Sequence, residues 1–189
     1  MTEPLGRDDG NQDDGDFLVR HDIAMAESVI VRTLLAGEVD RYRELRLMAL
    51  LDSPNAFTAT WAEESAMADS AWEARVELSL SGGSAIVVAD TGRELVGLAG
   101  GIPWGTRARV VSVWVASAWR HRGLAQRLVE RVCEWAAAGG YAEAQIETAL
   151  GNSGPQSLYE RLGFVPVDEE PPPHCGPVLV RQLSLSGSA

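Results

Sequence analysis

A short basic turn, Arg120-His121-Arg122-Gly123-Leu124-Ala125-Gln126, constrains this chain more than any other stretch, because of what flanks it. Before it, Ala108 to Val115 is rich in valine and reads as a strand. After it, Leu124, Leu128, Val132 and Trp135 or Ala136 recur at helical spacing. A strand that passes through a glycine turn into a helix leaves the first amides of that helix without partners, and the helix dipole adds about half a positive charge there. Such a corner binds phosphate. Gly123 and Ala125 let an anion approach the backbone closely, while Arg120 and Arg122 add positive charge to a chain that is otherwise acidic. The turn lacks both the three glycines of the dinucleotide fingerprint and the Lys-Ser/Thr of the nucleotide-triphosphate loop. Taken alone, it can also be read as a capped helix start that binds nothing.

A second block, Asn152-Ser-Gly-Pro-Gln-Ser-Leu-Tyr159-Glu-Arg-Leu-Gly163-Phe164, follows another strand-like run from Ala142 to Ala149. Pro155 suits the first turn of a helix, where a missing N–H costs nothing, and Gly163 suits the helix end. The segment reads as strand, loop, short helix, strand, with Asn152 at the strand end, Tyr159 inside the helix and Phe164 opening the next strand.

Together the two blocks resemble the GNAT superfamily of N-acetyltransferases. That family carries Gln/Arg-x-x-Gly-x-Gly/Ala in a strand–turn–helix, then Asn, a Tyr seven residues later, and Gly-Phe after the helix. Here these are Arg120, Gly123, Ala125, Asn152, Tyr159, Gly163 and Phe164. Val113-Trp114-Val115 is similar to the family's cofactor strand, and Arg43 to Phe57 is similar to the opening helix and loop of a large bacterial branch. Pro155 departs from the Ala or Ser the family commonly has there.

The resemblance implies an α/β fold of three layers. Its central sheet is mostly antiparallel, with two parallel strands, 108–115 and 142–149, that splay apart. It implies acetyl-CoA as donor and no metal. Backbone N–H groups from about Arg122 through Gly123, Leu124 and Ala125 to Gln126 would hold the pyrophosphate, with Arg120 and, at most through its backbone, His121 in the same cofactor-binding turn. Val113, Trp114, Val115 and Asn152 would hold the pantetheine arm, and Asn152 also reads as a helix cap. Tyr159 would protonate the departing thiolate. The expected acceptor is an amine, cationic at neutral pH, seated among residues 52–77, a loop at Pro103-Trp104-Gly105 and a proline loop at 169–175. Asp52, Glu63, Glu64, Asp69 and Glu73 would make that site acidic, with Trp61 and Trp104 flanking it. A base is not identifiable: Glu147, Glu63 and Glu64 are candidates, each also readable as a surface acid, and Ser112 could act only through water. A non-catalytic acyl-CoA sensor or partner subunit on the same fold is the alternative, as are a longer acyl donor and an oxygen acceptor. Homodimers are common in such domains.

Composition bounds the rest. At 189 residues the chain is one domain by the usual prior, long enough for a full core. Residues 1–16 hold six acids against Arg7, which is −5 of a net charge of −11, and read as a disordered acidic tail ahead of a single N-acetyltransferase domain at 17–189. No stretch is apolar enough for a membrane helix, and no export signal is legible. Cys133 and Cys175 make no zinc spacing with each other or with His21, His121 and His174. The expected compartment is therefore the cytoplasm. Acidity and the lack of a basic stripe argue against nucleic acid and membrane as partners.

Overall fold

The computed structural model describes residues 28–150, 153–169 and 178–185. The acidic tail and most of the proline loop, with Asn152, Cys175, His21 and His174, lie outside the described residues. Seven strands form one sheet: β1 (Ile30–Thr33), β2 (Ala85–Asp90), β3 (Leu95–Trp104), β4 (Arg107–Val115), β5 (Glu143–Ala149), β6 (Val165–Pro166) and β7 (Val178–Ser184). Their order is β1-β2-β3-β4-β5-β7-β6. Every pairing is antiparallel except β4 with β5. The helices are α1 (Val39–Asp52), α2 (Trp61–Ser65), α3 (Asp69–Leu80), α4 (Leu124–Ala138) and α5 (Ser153–Arg161). The mostly antiparallel sheet with one parallel pair is the one the family resemblance implies.

The helices sort by face. Burial of Leu124, Leu128, Val129, Val132 and Ala136 lays α4 on one face of the sheet, where Tyr159 of α5 joins the same core. The approach is close: a Cβ at Gly101 of β3 would come within 2.7 Å of Trp135 and 2.8 Å of Val132. On the other face α1 and α3 pack through Tyr42, Leu45, Ala49, Trp72 and Val76 against Ile86, Val88, Leu98 and Trp114. Ala49 is buried in this contact and its neighbour Met48 is exposed. No helix among the described residues is long and apolar enough to cross a membrane.

Two local expectations are corrected. Pro103 and Trp104 belong to β3, not to a loop, and the β3–β4 hairpin closes tightly through Gly105 at φ 59°. Proline is tolerated here because this end of the strand is exposed. The second concerns Phe164, which is followed by a strand of only two residues.

Candidate active site

β4 and β5 pair for three residues only, Ala108 with Ala144, Arg109 with Gln145 and Val110 with Ile146. Beyond this vertex they part. β4 continues to Val115 against β3, and β5 continues to Ala149 against β7. The fork so formed opens into a cleft of about 990 Å³. Val111, Ser112 and Val113 line it from one arm, Thr148 and Ala149 from the other, with Tyr159, Arg46 and the 52–59 segment around them.

A bulge shapes the β4 arm. The register against β3 slips between Leu98 and Gly100, and Ser112 takes a φ of 58°, a left-handed conformation that an L-residue adopts at a cost of roughly 1–2 kcal/mol. It is held there from outside. Arg46 Nη1 donates to Ser112 Oγ at 3.1 Å, while Arg46 Nε and Nη2 donate to Glu64 Oε2 and Oε1 at 3.0 and 2.9 Å. Arg75 Nη1 adds a third bond to Glu64 at 3.1 Å, and Phe57 lies under the Arg46 guanidinium. Burial pushes the Glu64 carboxyl up, but the hydrogen bond and charge of Arg46, with Arg75, outweigh it and hold the group below the ordinary range. Sequence reading missed this cluster because Arg46 and Glu64 stand 18 residues apart on different helices.

The backbone of the β4 arm is left available in part. Ala116 N–H donates to Val96 C=O on the β3 side at 2.9 Å, so by alternation the main-chain groups of Val115 and Val113 face the fork. Arg120 Nε takes the Val115 carbonyl at 2.9 Å. The Arg120 side chain also bonds Asp52, which in turn accepts from Trp114 Nε1 at 2.8 Å. The bonds from Trp114, Ser53 and Arg120 keep the Asp52 carboxyl below its usual range. Arg120 therefore buckles the turn to β4 and to the end of α1, and its own amide donates to Ser117 C=O at 3.3 Å. The Trp114 side chain is buried in the second core, and His121 is exposed at φ 62°. Arg122 stacks over Trp119 at 4.8 Å.

Gly123, at φ 75°, starts α4 without any side-chain cap. The first bond to the helix start runs from Arg127 N–H to Gly123 C=O at 3.2 Å. The amides of Leu124, Ala125 and Gln126 thus emerge at an uncapped, positive helix end just past the β4 arm. A diphosphate fits this corner. The buried Thr148 Oγ1 in the fork, without a partner among the described residues, fits a polar chain running from it.

Tyr159 lines the cleft from α5 and packs edge-on to Phe164 at 6.0 Å. Burial pushes its phenol up to about 12, so it carries its proton throughout the neutral range. Of the carboxylates considered as bases, Glu63 is spent in a capping box with Thr60 and Glu64 in the arginine cluster, while Glu147 lines the cleft and pairs with Arg109 at 3.1 Å. Asp69 pairs with Arg43, Glu73 is exposed, and Trp61 is exposed outside the cleft. Trp104 stacks on Arg109, 3.6 Å from its guanidinium carbon.

Residues 46–164 match the model of the acetyltransferase (GNAT) family. N-acetyltransferase 8 of Homo sapiens is 27% identical over 137 residues, which are 62% of this chain and 59% of that protein. The match thus spans less than two thirds of that relative's length. Among solved structures, yncA of Salmonella typhimurium with its cofactor acetyl-CoA superposes with a TM-score of 0.69 at 18% identity, over 86% of this chain and 97% of that one. The PaiA N-acetyltransferase of Thermoplasma acidophilum in complex with coenzyme A does so at 0.61 and 14%, over 83% and 99%. Identities this low speak to the fold, which is shared. Because the family match takes in the β4–β5 fork, the uncapped turn and the tyrosine helix, this chain belongs to the acetyltransferase (GNAT) family.

Proposed function

We propose that the protein transfers an acetyl group from acetyl-CoA to a primary amine by direct attack within a ternary complex. The observation that carries this reading is the β4–β5 fork opening beside the uncapped start of α4. In this reading the amides of residues 124–126 bind the diphosphate, and Val113 pairs its main chain with the pantetheine amides as a sheet edge pairs with an added strand. Asn152 retains the role the family resemblance gives it, on the same arm. Acetyl-CoA supplies the activated acyl group.

The residues of the chain then divide three tasks. Backbone N–H groups of the β4 arm beyond the bulge donate to the oxygen on which charge develops. Tyr159 holds a proton at its hydroxyl and delivers it, or a hydrogen bond, to the departing sulfur. Glu147, the candidate carboxylate lining the cleft, takes the proton of the incoming amine through water. A lysine-like amine has a pKa of roughly 10.4, so most of it must lose a proton before it can attack.

Thiol release from acetyl-CoA, followed across a panel of amino acids, polyamines and aminoglycosides, tests the proposal. Release that depends on both protein and amine is expected. Binding of coenzyme A without release on any amine would favour the sensor reading instead, and no binding at all would end both.

A further inference from the structure

One arginine in the cleft is not used by this mechanism. Arg109 stands at the vertex of the fork, one residue before the last β4–β5 pair, and Glu147 one residue after it. Arg109 is 9% exposed and lines the cleft. Its planar group is pressed against Trp104, which fixes its orientation. An arginine carries five N–H donors. Here Nη2 meets Glu147 Oε1 at 3.1 Å, and the buried Nε meets no acceptor among the described residues. The neighbouring acids on this face do not help. Arg107 takes Glu143 at 2.8 Å and Glu169 at 3.0 Å, and Gln145 takes Glu169 at 2.7 Å. A buried guanidinium with an unmet donor, held rigid on an aromatic ring and opening onto a cleft, is a subsite for a planar anion.

Its place in the cleft says what anion. A chain running from the diphosphate corner back along the β4 arm ends near the vertex, so the amine must arrive beside Arg109 and Glu147. Opposite charges side by side match a zwitterion, with its ammonium toward Glu147 and its carboxylate toward Arg109. Glu147 also disfavours a dianion such as phosphate. A bare polycation finds less here, because the Arg109 guanidinium stands 3.1 Å from Glu147 and repels a second cation. We infer that the acceptor is an amine bearing a carboxylate close to its nitrogen, an α-amino acid or a near relative, and that Arg109 with Trp104 is its carboxylate subsite. The inference rests on the acetyl-transfer reading and narrows it.

The decisive measurement uses the unaltered protein. Thiol release is compared between free amino acids and the same amino acids as primary amides, with spermidine as a carboxylate-free amine. The acids are expected to show KM values about 10- to 100-fold lower than their amides, the worth of one charged hydrogen-bonded contact. Arg109→Gln should erase that difference by raising KM for the acid to that of the amide, with the affinity for coenzyme A in calorimetry unchanged. Arg109→Lys should restore only part of it, because the fork is lost while the charge remains. Amides or spermidine used as well as the acids would overturn the subsite and leave acetyl transfer standing. Absence of coenzyme A binding would instead strike the reading beneath it.

Discussion

Tyr159 shows how a buried side chain can serve packing and chemistry at once. Its ring lies against Phe164 in the main core while its face lines the cleft. The same burial that packs it raises its phenol to about 12, so the proton-bearing form persists far above neutrality. Tyr159→Phe keeps the ring and removes the donor. Turnover should fall by about 100-fold or more, while affinity for coenzyme A in calorimetry stays within about twofold. Because the raised phenol ionises only near its high value, any fall in wild-type kcat between pH 8 and 10 must come from another group and should persist in the variant. Turnover equal to wild type would remove Tyr159 from the chemistry. Glu64 makes the opposite case. It was a candidate base by sequence, yet it is 3% exposed and gripped by two arginines. Removing one member of a buried ion pair costs about 3–5 kcal/mol, and a melting temperature responds by about 2–4 °C per kcal/mol in a domain of this size. Glu64→Gln should therefore melt at least about 6 °C lower. A variant of unchanged stability with abolished turnover would return Glu64 to the list of bases.

At the scale of elements, the strand–turn–helix at 107–138 was legible because each part is local. The valine run, the small residues of the turn and the four-residue spacing of α4 need no distant partner to be read. What tunes the turn was not legible. Asp52 reaches Trp114 and Arg120 from 62 and 68 residues away, and a lone aspartate at the end of a helix carries no sign of that errand. The same holds for Ser112, whose left-handed backbone depends on a bulge set by register and by Arg46. Gly123 separates what the fold requires of the turn from what a ligand requires. Among the described residues nothing lies within 4 Å of a Cβ built there, yet its φ is 75°. Gly123→Ala should thus cost the fold only the backbone strain, about 1–2 kcal/mol by urea unfolding, while its methyl intrudes on the corner where the diphosphate sits. Affinity for coenzyme A should fall by more than about tenfold, that is, by over about 1.4 kcal/mol. Equal, small losses in both would mean that no anion approaches that backbone.

Across the whole molecule, the sheet is two half-sheets joined at a narrow seam. β1 to β4 carry α1, α3 and most of the α4 contact, whereas β5, β7 and β6 carry α5. Three residue pairs of β4 with β5 connect the halves. Their parallel pairing was expected from the family resemblance. Hydrophobic periodicity could not have supplied it, because a strand's neighbour is chosen by long-range packing. A chain laid into the fork would complete the missing rungs and tie one half to the other, so binding there should stabilise the molecule globally and not only at the corner. At a concentration 100 times its dissociation constant, a ligand exclusive to the folded state adds about 2.7 kcal/mol, or about 5–10 °C of melting temperature in a domain of this length. Coenzyme A should produce that rise. Hydrogen exchange should locate its origin, with slowed amides at 111–115 on the β4 arm and at 124–126 on α4, and no change at the β1–β2 edge. Adenosine diphosphate, which has the diphosphate without the arm, should protect 124–126 but leave 111–115 exchanging as in the free protein. Protection confined to the helix start with the full coenzyme would show that the arm does not enter the fork.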